Sequence, residues 1–121
     1  MSFETRMYPV TPEGNAAMVA ARALVLSKTD GWHPSVGVFF QNGPRTDLET
    51  LLDVTQKALR TAGNDSRYVV EDLVDSGNKV TMRFFIEGNK ARHSGMQIFE
   101  IGDTGTVEQA WVNVSGVGST A

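Results

Sequence analysis

A chain of 121 residues with 40% apolar side chains is the size of one ordinary domain, spanning residues 1–121, and can bury about two-thirds of the surface its unfolded form exposes. Its 11 basic and 14 acidic residues are interspersed and sum to a net charge of -3, which leaves no basic stripe for a phosphate backbone and no polybasic patch for a membrane. The absence of cysteine excludes disulfides, thiolate nucleophiles and cysteine metal sites, and two histidines at unrelated positions make a poor metal site, so no metal and no cofactor is expected.

Met1 to Thr11 shows no basic region followed by a long apolar run, and the longest apolar stretch, Ala16 to Leu26, is interrupted by Arg22. The expectation is a cytoplasmic protein with neither nucleic acid nor membrane as partner. Thr11-Pro12-Glu13 supplies an N-cap, a proline at the first helical position and an early acid, so the first helix starts there and ends by Asp30-Gly31. Being apolar on nearly every side, it should be buried. Val36 to Phe40 reads as a short strand bounded by Pro34 and Asn42-Gly43-Pro44. Thr46 and Glu49 form a capping box for a second helix, whose Leu48, Leu51, Leu52, Thr55, Leu59 and Ala62 recur at helical spacing until Gly63.

From Arg67 the texture changes to β-branched and aromatic runs, with turn signals at Ser76-Gly77-Asn78, Gly88-Asn89 and Gly102-Asp103-Thr104-Gly105. This predicts an antiparallel meander of four strands with the helices on one face, an α+β fold, and a disordered tail over residues 116–121. A two-residue loop at Gly88-Asn89 pairs Glu87 with Lys90 and Phe84 with His93. One face then carries Val80, Met82, Phe84, Ile86, Ala91, His93, Gly95, Gln97, Phe99 and Ile101, and its low polarity marks it as the inner one. The other face carries Phe85, Met96 and Ile98 among charged residues, which predicts a homodimer centred on those three. A five-residue loop over residues 102–106 would set Gln97 opposite Trp111, Gly95 opposite Asn113 and His93 opposite Ser115; a slip of one residue would turn that last set outward.

The stretch Val69 to Val114 resembles the second half of SnoaL-like proteins of the nuclear transport factor 2-like superfamily. The resemblance rests on Glu71-Asp72-Leu73-Val74-Asp75-Ser76-Gly77-Asn78-Lys79-Val80-Thr81-Met82-Arg83, an acidic strand, glycine turn and strand ending in arginine. It rests also on Ile98-Phe99-Glu100-Ile101-Gly102-Asp103-Thr104-Gly105-Thr106-Val107-Glu108-Gln109-Ala110-Trp111, a strand, acidic glycine turn and final strand with Glu and Trp. It implies a cone-shaped fold, a curved antiparallel sheet around the helices and an apolar pocket, and a membership that spans isomerases, cyclases, dehydratases and domains without catalysis. The sequence departs from the cyclases where they often carry an acid just after the final-strand Trp; here Val112-Asn113-Val114-Ser115 follows.

Within that frame the candidate catalytic residues are His93, Asn113 and Asp72. An imidazole in a greasy cavity can take and return a proton, whereas the competing reading of His93 is a packed histidine bonded to Ser115 or Gln97. Asp72 and Tyr68 face inward only if the Ser76-Gly77-Asn78 loop pairs Val74 with Val80; the other register puts Val69, Glu71 and Leu73 there. Asn113, Gln97 or Ser115 would hold a developing oxyanion. Met82 and Phe84 would line the pocket, Trp32 and Trp111 would wall it or simply fill the core, and His33 would stand at its mouth or on the surface. The expected ligand is a small, uncharged hydrophobic substrate.

Overall fold

The computed structural model describes residues 2–41 and 43–115. The tail expected to be disordered lies outside the described residues. In chain order the elements are β1 (Ser2–Thr5), α1 (Pro12–Val25), β2 (Trp32–Phe40), β3 (Arg45–Thr46), α2 (Leu48–Ala62), β4 (Arg67–Ser76), β5 (Lys79–Glu87), β6 (Arg92–Ile101) and β7 (Val107–Ser115). They form one seven-stranded sheet in the order β1-β4-β5-β6-β7-β2-β3, parallel only at β1–β4 and β2–β7. Both helices pack on one face of this sheet, giving the expected α+β cone. No described helix is long and apolar enough to cross a membrane.

Helix α1 begins as its sequence dictates, with Thr11 accepting from the Gly14 N–H at 2.9 Å and Pro12 in the first turn. The Thr11 hydroxyl also donates to the Asp75 carboxylate, tying the helix start to the end of β4. Ala17, Ala20, Ala21 and Leu24 are fully buried, and Gln56 of α2 donates to the free carbonyls of Leu24 and Val25 at 2.8 and 3.1 Å. Helix α1 stops at Val25, earlier than Asp30-Gly31. The cap of α2 is Asp47 rather than Thr46: its carboxylate accepts from Thr50 N at 2.9 Å, while Thr46 is drawn into β3 beside Val38.

The meander β4 to β7 forms as predicted, with three departures in register. Glu87 pairs with Arg92, not Lys90, so Gly88 to Ala91 make a four-residue loop. The cause is the end of α2, whose Ala62 carbonyl accepts from Lys90 N at 2.8 Å and Ala91 N at 3.3 Å, which holds the loop open. The shift is two residues, so every side chain of β5 and β6 keeps its predicted face. In β4, Val70 pairs with Phe84 and Asp72 with Arg83, leaving Glu71 as a bulge. In β7, Val107 pairs with Ile101 as expected, but Gln109 then pairs with Glu100, leaving Glu108 as a second bulge. The Glu108 carboxylate lies over Gly102, where a Cβ would fall 2.1 Å from it.

The convex face is charged around one aromatic ring. Phe85 is only 1% exposed because Arg92, Arg6 and Arg67 stand over it at 4.1, 5.2 and 5.9 Å from its centroid. Glu87 bonds both Arg67 (3.0 Å) and Arg92 (3.2 Å), fixing two of those cations. Phe85, expected with Met96 and Ile98 at the centre of a docking surface on this face, is thus covered within the chain by these arginines.

Candidate functional site

Pairing across the sheet sorts the concave face into rows. Tyr68, Ile86 and His93 form one; Val70, Phe84, Gly95 and Val114 the next; Leu73, Met82, Gln97, Val112 and Phe40 a third. Helix α2 covers them with Leu51, Val54, Thr55 and Ala58. Gly95 is required here: a Cβ would sit 2.6 Å from the Phe84 ring tip and 2.9 Å from the Asn113 carbonyl. The space it leaves lets the Phe84 ring lie flat against Tyr68, at 4.7 Å between centroids and 5° between planes.

Tyr68, Phe84, Ile86 and Gln97, with Leu51, Val54, Thr55, Ala58, Val112 and Val114, line a cavity of about 10 Å³. That is room for roughly one water molecule. Three buried polar atoms on this face have no hydrogen-bond partner among the described residues: the Tyr68 hydroxyl, His93 Nδ1 and Gln97 Oε1. Tyr68 is fully buried, and desolvation pushes its phenol well above the usual tyrosine range, so it stays a protonated donor. His93, 3% exposed, is held through Nε2 by Thr61 Oγ1 of α2 at 3.1 Å. His93 does not line the cavity itself; Ile86 stands between it and Tyr68 in their shared row.

The site thus brings together Tyr68, Phe84 and Gln97, with Met82 and His93 on the same face. The rest of the predicted set lies elsewhere. Asp72 points outward opposite Arg83, 3.9 Å from its guanidinium and exposed, because the Glu71 bulge reverses the strand after Val70. The same bulge brings Tyr68 inward without Asp72, so each of the two registers weighed for β4 holds over part of the strand. The Glu108 bulge turns Trp111 and Asn113 to the convex face opposite Ile98 and Met96, and Ser115 takes the register position opposite Ser94. Trp111 stacks on Phe39 at 5.9 Å, and Asn113 accepts from Gln41 Nε2 at 3.4 Å. Trp111, Asn113 and Gln41, together with Met96, Ile98 and Val112, border an open convex groove of about 390 Å³. Trp32 is a core residue whose indole N–H donates to the Ala20 carbonyl at 2.9 Å. His33 lies at the surface, its Nδ1 accepting from Ser35 N at 3.0 Å.

Thr61 was missed because nothing local links a threonine near a helix end to a histidine 32 residues later. Among the described residues no group of three or more His, Cys, Asp or Glu side chains could hold a metal ion.

No protein-family model and no curated protein matches the sequence. Solved structures do match the fold. A loop-truncated variant of IdmH, from Streptomyces antibioticus, superposes with a TM-score of 0.73 at 17% identity, over 88% of this chain and 94% of that one. A proposed SnoaL-like polyketide cyclase from Jannaschia sp. CCS1 gives 0.67 at 12% identity over 90% of both chains. A proposed ketosteroid isomerase from Kribbella flavida gives 0.65 at 16% identity, over 85% of this chain and 77% of that one.

Proposed function

Taking as premise that the chain has the fold of the SnoaL-like, nuclear transport factor 2-like superfamily, we propose that it is a cofactor-independent acid–base enzyme of the isomerase, cyclase or dehydratase type. Its substrate is a small, uncharged, ring-containing compound of the kind made in secondary metabolism. The observation that carries this reading is the set of three unpartnered polar atoms on an otherwise apolar concave face. A buried group left unbonded costs about 1–3 kcal/mol, and three on one face are accounted for if a ligand completes them. In that role, with Ile86 drawn back from between His93 and the cavity, His93 Nδ1 takes the proton, the Tyr68 hydroxyl donates to the developing oxyanion, and Gln97 Oε1 accepts from a substrate hydroxyl. Tyr68 replaces Asn113 and Ser115 in the oxyanion role. Turnover of an identified substrate by His93→Ala tests it: a loss of about 10²-fold or more is expected for a proton-transfer residue, and full turnover would remove His93 from the mechanism.

One observation favours a module without turnover. The cavity of about 10 Å³ is far below the roughly 300 Å³ of a typical ligand pocket, so the side chains that line it must move aside before a substrate enters. The alternative is a ligand-binding or dimerisation module without catalysis: if a thermal-shift screen with polycyclic phenols finds none that stabilises the protein, a packed dimerisation module prevails, and if one does, turnover separates the enzyme from a binding module.

For assembly we propose a homodimer through the convex face, centred on Met96, Ile98 and Trp111 rather than on Phe85. Met96 is 45% exposed and borders the groove of about 390 Å³.

A further inference from the structure

We propose, on the reading that His93 moves a proton, that Thr61 is the positioning residue that decides which nitrogen of His93 does so. The argument is a count of hydrogens. The Thr61 hydroxyl has one hydrogen, and Oγ1 donates it to the carbonyl of Ala58 at 3.1 Å, one turn back in α2. The same oxygen lies 3.1 Å from His93 Nε2. With its hydrogen engaged, Oγ1 meets the ring only as an acceptor, so Nε2 carries the ring hydrogen and donates it.

Nδ1 is then the bare nitrogen. It is buried and has no partner among the described residues. The opposite tautomer would leave a buried N–H donor unbonded at Nδ1 and would turn the Thr61 hydrogen from the Ala58 carbonyl to Nε2, so that Oγ1 makes one bond instead of two. That arrangement loses one hydrogen bond and leaves a second group unsatisfied. Thr61 therefore acts as the carboxylate or carbonyl partner of many working histidines acts: it fixes the tautomer from behind and leaves the other nitrogen as a proton acceptor.

The test is the ring-nitrogen spectrum of the neutral imidazole, recorded by long-range ¹H–¹⁵N correlation on the full chain with no ligand added. In the wild type Nδ1 should resonate as the unprotonated nitrogen and Nε2 as the protonated one, with a bias on the order of tenfold, the ratio that one hydrogen bond of ordinary net strength sets. Thr61→Ser should keep that bias, and the isosteric Thr61→Val should reduce it to near parity. A wild-type ring protonated at Nδ1, or a Thr61→Val spectrum indistinguishable from wild type, would overturn the proposal. The wild-type spectrum is decisive even if Thr61→Val does not fold. Because no turnover is read, a fully active His93→Ala enzyme would end the catalytic reading and leave the tautomer assignment standing. A ring protonated at Nδ1 would end the assignment and leave the apolar cone as it is.

Discussion

Tyr68 carries a hydroxyl that the fold does not use. Its ring stacks on Phe84 and lies 5.7 Å from Phe3, and its oxygen has no partner among the described residues. Tyr68→Phe should therefore leave stability unchanged or raise it by about 1 kcal/mol, since it removes an unsatisfied buried group and keeps the stack. A loss of more than about 1 kcal/mol in denaturant unfolding would mean that the hydroxyl is bonded in the native protein. The phenol also sets a pH dependence. Burial raises the folded pKa well above that of the unfolded chain, so the unfolded state releases this proton first on the alkaline side. The stabilisation is complete below about pH 10 and declines as pH rises from there toward the folded value. Tyr68→Phe should flatten that alkaline decline; an identical pH profile in wild type and variant would contradict the buried, protonated phenol.

At the scale of the elements, two glycines and one cap carry much of the local geometry. Gly95→Ala would drive a methyl into the Phe84 ring and the Asn113 carbonyl, so a loss of about 1–3 kcal/mol is expected, with disturbed Tyr68–Phe84 stacking seen in near-ultraviolet dichroism. Thr11→Ala should cost about 1–2 kcal/mol, because Thr11 both caps α1 and bonds Asp75. A thermal midpoint unchanged in Thr11→Ala would show that this joint is not needed. Gly77, at φ +67, supplies the left-handed position of the tight β4–β5 turn, as the Ser76-Gly77-Asn78 signal indicated.

These elements also show what the sequence could and could not reveal. Alternation assigned the faces of β5 and β6 correctly even though the loop was two residues too short, because a shift of two preserves parity. It failed in β4 and β7, where Glu71 and Glu108 each add one unpaired residue. Neither glutamate differs from an ordinary strand residue in its own identity, and the space over Gly102 that admits Glu108 exists only in three dimensions. The inward facing of Phe84, Gln97 and His93 was legible on periodicity, that of Tyr68 and Asp72 hung on a choice between two registers that the Glu71 bulge divides, and the Glu108 bulge turned Asn113 and Trp111 to the other face. Strands β1 and β3 were not read: they are four and two residues long and are recruited by their neighbours rather than by their own pattern.

For the whole molecule, the convex face divides into two regions of different character. Around Phe85, Arg67 and Arg92 are tied to Glu87, Glu4 and Glu71, which gives a charged surface on which these two cations already have partners. Toward β7 the Phe39–Trp111 stack lies beside Ile98 and Met96, with Lys79 5.5 Å from the Trp111 ring. The proposed dimer uses the second region. Sedimentation at micromolar concentration should report a dimer for wild type, and Met96→Glu should raise the dimer dissociation constant at least tenfold while Phe85→Leu changes the fold's stability more than its assembly. A monomeric wild type would end that proposal.

The single extra residue at Glu108 has a further consequence for how such a fold can change over generations. Pairing Glu108 into the ladder instead would restore unbroken alternation along β7 from Val107, carrying Trp111 and Asn113 into the cone and sending Val112 toward solvent, whereas deleting it would leave their faces unchanged. Few substitutions exchange an indole and an amide for an aliphatic lining in one step. Most chains forced into that pairing would be destabilised, yet a lineage that lost the bulge while keeping the residue would acquire a different interior without altering any side chain. The bulge is thus an inherited switch between two possible interiors, and its state in this chain is what leaves the polar work of the concave face to Tyr68, Gln97 and His93.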